Sequence, residues 1–88
     1  MIETTIKIVN KAGLHTRPAA TIVKIASKYK SQFYISKDGL KIDGKSIIGV
    51  MTLAAELGSE LFLSFNGPDE QEMANEVLDF FNRGFDEQ

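Results

Sequence analysis

The chain has no cysteine, no tryptophan, only two prolines and a single histidine. Without cysteine there is neither a disulfide staple nor a thiolate metal site. One histidine cannot build a multi-His metal site. No apolar run approaches the roughly 18–20 residues that a membrane span needs. Met1-Ile2-Glu3-Thr4-Thr5 has no basic stretch ahead of an apolar one. Neither a secretory signal nor a transmembrane segment is therefore expected, and the expected location is cytoplasmic. Positive charge is also scarce: 10 Lys and Arg stand against 12 Asp and Glu, a formal net charge of -2. That balance disfavours nucleic acid as a partner. There is no Gly-rich nucleotide loop, no obvious carboxylate triad to accompany the histidine, and no repeat, low-complexity tract or linker.

What is present fits one soluble globular domain spanning residues 1–88, with 43% hydrophobic and 25% charged residues. A domain of this size buries only about 60–70% of its unfolded surface, so modest stability is expected.

Ile2, Thr4, Ile6 and Ile8 alternate with polar residues, which predicts a half-buried strand. After a turn at Asn10 to Gly13, apolar residues from Ala19 to Tyr29 recur at helical spacing, predicting a helix from Thr16 to about Tyr29. Pro18 suits the first turn of such a helix, where a missing N–H costs nothing. Gln32–Ser36 and Leu40–Ile42 read as strands joined by the hairpin signal Lys37-Asp38-Gly39. Ser46 is a candidate N-cap for a short helix from Ile47 to about Ala54. Glu60–Phe65 reads as a fourth strand. Asp69 and Glu72 have capping-box spacing for a last helix reaching about Arg83, with Met73, Val77, Phe80 and Phe81 as its buried stripe. Phe33, Phe62, Phe65, Phe80 and Phe81 are read as packing residues, and Phe85-Asp86-Glu87-Gln88 as a short frayed tail. The order β-α-β-β-α-β-α predicts a two-layer α+β fold, with helices on one face of a sheet whose other face is wet.

The only histidine, His15, lies in Gly13-Leu14-His15-Thr16-Arg17-Pro18-Ala19-Ala20. Gly13 permits positive φ in the turn. His15 falls at the expected N-cap, where the free N–H groups of Thr16 and Arg17 converge. The helix dipole disfavours an imidazolium there, so the reference pKa of ~6.5 is expected to drift down and leave an unprotonated nitrogen as nucleophile. Arg17 opposes the macrodipole at a cost of a few tenths of a kcal/mol, a local penalty that points to function. Nucleophile, helix N-terminus and permanent cation together suit a dianionic phosphoryl group. A covalent phosphohistidine carrier would need no cofactor and no metal, because partner proteins supply donor and acceptor.

Gly13-Leu14-His15-Thr16-Arg17-Pro18-Ala19 resembles the active-site signature of the HPr family, the phosphocarriers of the phosphoenolpyruvate-dependent sugar phosphotransferase system. Gly44-Lys45-Ser46-Ile47-Ile48-Gly49-Val50-Met51-Thr52-Leu53 is similar to the family's regulatory-serine region. The resemblance spans essentially the whole chain. It implies an open-faced β-sandwich, a four-stranded antiparallel sheet in order 1-4-2-3 covered by three helices. It implies that His15 accepts a phosphoryl group on Nδ1 from enzyme I and passes it to the IIA domain of a sugar permease, with Arg17 neutralising the phosphate. It also implies Ser46 as a target of an ATP-dependent HPr kinase/phosphorylase, and docking of partners, a transcriptional regulator among them, on an apolar patch near His15. Ile48 departs from the methionine common in regulated members.

Independently of the resemblance, the helix after Ser46 has almost no polar face, so part of Ile47, Ile48 and Met51 should be exposed. The resemblance implies that these, with Thr16, Ala20 and Lys24, form the docking surface, and Lys24, Lys28 and Lys45 are candidates for a basic rim. A carrier that shows one face to successive partners is expected to be monomeric. Two other readings remain: a regulatory protein acting through Ser46 and protein partners, and a small hydrolase of acyl phosphates.

Overall fold

A computed structural model describes residues 1–87. Strand β1 (Ile2–Lys7) is followed by α1 (Thr16–Ala26), β2 (Gln32–Lys37), β3 (Leu40–Asp43), α2 (Ile47–Thr52), β4 (Glu60–Asn66) and α3 (Glu70–Asn82), and a 3-10 turn covers Gly84–Asp86. The strands form one antiparallel sheet in order β1-β4-β2-β3, as expected. The register stacks Ile6 on Leu61, Leu63 on Ile35 and Ile35 on Ile42, so the apolar set of every strand shares one face. On that face the rings of Phe33 and Phe65 are parallel with centroids 4.8 Å apart. Both rings are buried, each adding about 1.5–3 kcal/mol of hydrophobic stabilisation.

The helices supply the second layer. Ala19, Ile22, Ile25 and Ala26 of α1, Val50 of α2, and Met73, Ala74, Val77, Phe80 and Phe81 of α3 join the strand residues in one core. The β2–β3 hairpin turns on Asp38 and Gly39, both at positive φ (50° and 85°), as a two-residue turn matched to strand twist demands.

Four local expectations are corrected. Helix α1 stops at Ala26: Lys28 N–H donates to the Ile25 carbonyl and Tyr29 N–H to that of Ala26, tight turns that end the helix. Similar bonds close α2 at Thr52, leaving Ala54 at φ 50°. Phe62 is 41% exposed on the open face, because its neighbours Leu61 and Leu63 take the buried parity of β4. The Asp69–Glu72 capping box does not form. Asp69 instead turns to the segment before β2 and accepts from Lys30 N–H, Ser31 N–H and Ser31 Oγ–H. Glu70 reaches back to Gly67 N–H. Gly67 packs so closely on Ser31 that a Cβ would fall 2.6 Å from the Ser31 Cα.

The segment read as a frayed tail is ordered by packing. Phe85 is buried, with its ring 5.2 Å from Phe80 and 5.1 Å from Phe81, and Glu87 lies beside the α1 N-terminus. Gln88 lies outside the described residues.

Candidate functional site at the N-terminus of α1

The loop before α1 is fixed from both sides. Asn10 is buried, and its amide donates to the Gly13 carbonyl. Leu14 N–H donates to the Ala55 carbonyl at 2.8 Å, tying this loop to the one that follows α2. Gly13 has φ 71°, and a Cβ there would stand 2.5 Å from the Ala55 oxygen. Only glycine permits that approach without moving backbone. Leu14 is buried in the core, and the residue after it is half-exposed.

That residue is His15, the N-cap of α1 with extended backbone (φ -111°, ψ -169°). Its carbonyl accepts the first helical bond, from Ala19 N–H at 3.0 Å, while its ring caps nothing. The N–H groups of Thr16 and Arg17 meet no acceptor among the described residues, and Pro18 has no N–H to offer. No acidic residue lies in the first turn of α1. Arg17 is exposed and pairs with no carboxylate among the described residues. Among the described residues, two open amides and an unpaired cation therefore lie beside a half-exposed imidazole, an arrangement able to receive an oxyanion.

Sequence reasoning missed one neighbour. The Glu87 carboxylate lies 2.8 Å (Oε2) and 3.1 Å (Oε1) from His15 Nε2, and Asn10 Nδ2 donates to Oε1 at 2.8 Å. The hydrogen bond from His15 holds the Glu87 carboxyl below the usual glutamate range, with Asn10 and the charges of His15 and Arg17 acting in the same direction against burial. A carboxylate only accepts, so the hydrogen bond at this edge is one that Nε2–H donates. With Nε2 engaged, Nδ1 is the nitrogen left for chemistry. Glu87 is 72 positions away in sequence, and only the burial of Phe85 in the core signals that the tail returns to this point.

The second motif leads into α2, which packs against α1. Ser46 caps α2, its Oγ accepting from Gly49 N–H at 3.1 Å. Ile47, Ile48 and Met51 are exposed, Ile48 to 81%, while Val50 faces the core. Thr16, Ala20 and Lys24 are exposed along α1. The basic rim is thinner than expected. Lys28 is paired with Glu76 at 2.6 Å, and Lys45 donates to the Tyr29 carbonyl. Lys24 remains without a partner among the described residues.

The family model described as the PTS HPr component phosphorylation site matches residues 2–83. The phosphocarrier protein HPr of Treponema pallidum (strain Nichols) is 41% identical over 88 residues, covering all of both chains. A crystal structure of HPr from Thermoanaerobacter tengcongensis superposes with a TM-score of 0.95 at 44% identity, covering 100% of this chain and 99% of that one. The Bacillus subtilis catabolite repression protein Crh, solved as a dimer with a swapped domain, gives 0.76 at 36% identity over 96% and 97% of the two chains. The site at His15 therefore sits in a fold and sequence of one kind, and the chain belongs to the HPr family of the phosphotransferase system.

Proposed function

We propose that this chain is a phosphocarrier of the sugar phosphotransferase system, accepting a phosphoryl group from phospho-enzyme I on His15 and passing it to the IIA domain of a sugar permease. The observation that carries this reading is the half-exposed His15 ring at a helix end where, among the described residues, Nδ1, two amides and the Arg17 cation have no partner. The Nδ1 lone pair attacks phosphorus as the donor's P–N bond breaks, and its electron pair returns to the donor nitrogen. The amides of Thr16 and Arg17 and the Arg17 guanidinium take the phosphoryl oxygens, stabilising charge in the transition state. The second transfer runs the same chemistry in reverse on the acceptor. The chain supplies binding and orientation and needs neither cofactor nor metal, and its turnover is that of a covalent intermediate between two partners.

Partners dock, in this reading, over exposed Ile47, Ile48 and Met51 of α2 and over Thr16, Ala20 and Lys24 of α1, the helix that His15 begins and that packs on α2. Ser46, at the edge of that patch, is the regulatory position addressed by an HPr kinase/phosphorylase. The chain acts in the cytoplasm as a single-domain monomer. A mainly regulatory role, directed at a transcriptional regulator through Ser46, is the second reading, and the likeness to Crh supports it. The deciding experiment is phosphorylation by enzyme I and labelled phosphoenolpyruvate of the parent and of His15→Ala. Acid-labile, base-stable label on the parent alone is the expected result. A folded parent that takes no label, beside an active control carrier, would shift the assignment to regulation.

A further inference from the structure

We propose that Glu87 is a positioning residue for phosphoryl transfer at His15: its carboxylate, steered by Asn10, keeps the proton on Nε2 and leaves the Nδ1 lone pair free to attack. This rests on the carrier reading above. The segment that delivers Glu87 lies beyond residue 83, where the match to the family model ends.

The delivery is built, not incidental. Gly84, Phe85 and Asp86 all have positive φ (63°, 60° and 60°), a conformation that non-glycine residues hold only where their surroundings enforce it. Phe85 is locked by the rings of Phe80 and Phe81. Arg83 Nη1 donates to both carboxylate oxygens of Asp86, at 2.8 and 2.9 Å. Glu87 N–H closes the turn on the Gly84 carbonyl at 3.0 Å. The chain is thus folded back so that one carboxylate meets the Nε2 edge of the ring.

Asn10 adds a second, independent sign. Its amide spends both N–H bonds, on the Gly13 carbonyl and on Glu87 Oε1, while its own Oδ1 is buried without a partner among the described residues. An orphaned buried oxygen is costly. The reverse orientation would set that oxygen against two acceptors, so the orphan is the cost of holding the Gly13 turn and Glu87 together.

The chemistry balances without proton release. As the N–P bond forms, the ring retains Nε2–H and takes on positive charge, and the Glu87 carboxylate opposite that edge compensates it. When the phosphoryl group leaves, the N–P electron pair returns to Nδ1 and the ring is neutral again. The arrangement follows the logic of a carboxylate that orients a histidine without itself becoming protonated.

The test compares the parent with Glu87→Gln and Glu87→Asp, using ¹⁵N spectra of the neutral His15 ring and rates of phosphorylation by enzyme I. The parent should show the Nε2–H tautomer. Glu87→Gln should mix the tautomers and slow acceptance about tenfold, the worth of one charge-assisted hydrogen bond. Glu87→Asp should recover part of both. Parent-like tautomer populations in Glu87→Gln would overturn the proposal whatever the rate, and so would an unchanged rate. A parent that takes no phosphate at all would instead overturn the carrier reading.

Discussion

Helices α1 and α3 lie on the same face of the sheet, yet they begin in opposite ways. Helix α3 opens with Asp69, Glu70 and Glu72, so its positive dipole end is covered by its own carboxylates. Glu70 also satisfies Gly67 N–H, and Asp69 fastens the helix start to the segment before β2. Helix α1 opens with His15, Thr16 and Arg17: no acid, no side-chain cap, and a cation where a cation is unfavourable. One end is finished for stability. The other is left incomplete, and an incoming dianion would complete it. Among the described residues, the carboxylate that reaches this end of α1 is that of Glu87, and it meets the Nε2 edge of the ring and not the amides.

The sharpest way to break this contrast is Arg17→Glu, which gives α1 an acidic start like that of α3. Acceptance of phosphate from enzyme I should fall on the order of 100-fold, as when a preorganised charge facing the transition state is lost. Thermal stability should hold or rise slightly, because the dipole is now complemented. A loss of activity that tracked a loss of fold would mean that Arg17 is structural.

The second test attacks α3 through pH. Asp69 is held at about 2, down from 3.8, first by the hydrogen bond from Ser31 Oγ and then by Lys30 N–H, with burial opposing. A depressed carboxyl stabilises the fold fully above its unfolded value, and that contribution drains away as pH falls from 3.8 through about 2. Asp69→Ala should therefore be less stable than the parent near neutrality. The gap should close progressively in acid, as followed by urea denaturation at a series of pH values. A gap independent of pH would show that packing at Ser31 and Gly67, and not the carboxylate, holds this corner.

Helix α2 stands between the two cases, with Ser46 as a neutral cap. Ser46→Asp keeps a good capping oxygen, so stability should change by less than about 0.5 kcal/mol. It also places a negative charge beside exposed Ile47 and Ile48. Affinity for enzyme I, read by titration calorimetry, should drop several-fold through repulsion with no change of fold. Unchanged affinity would separate this end of α2 from the docking surface.

These contrasts were unequally visible in the sequence. The bare start of α1 could be read directly, because Gly13, His15, Arg17 and Pro18 each have a local meaning in φ, charge or missing N–H. The sheet order came with the family resemblance, and the strands themselves from period-two alternation. What escaped was non-local. Asp69 has the spacing of a cap, and nothing nearby in sequence tells that Ser31 competes for it and wins. Phe62 was misplaced because it is large and apolar, although the parity of Leu61, Leu63 and Phe65 already sets it on the open face. Glu87 looked like tail because its partner is 72 positions away and its route back depends on three consecutive left-handed residues.

The smallest expected effect is the most direct measure of what α1 forgoes. Thr16→Asp places a carboxylate in the first turn, where α3 already carries Glu70 and Glu72. Complementing the dipole should add about 0.3–1 kcal/mol to stability. The same charge occupies the field that the phosphoryl oxygens need, so transfer should weaken as stability rises. Denaturation and phosphorylation measured on one preparation would show the two moving in opposite directions. If both stayed at parent values, the open amides would be neither a liability of the fold nor part of its anion cradle, and Arg17 alone would carry the phosphate.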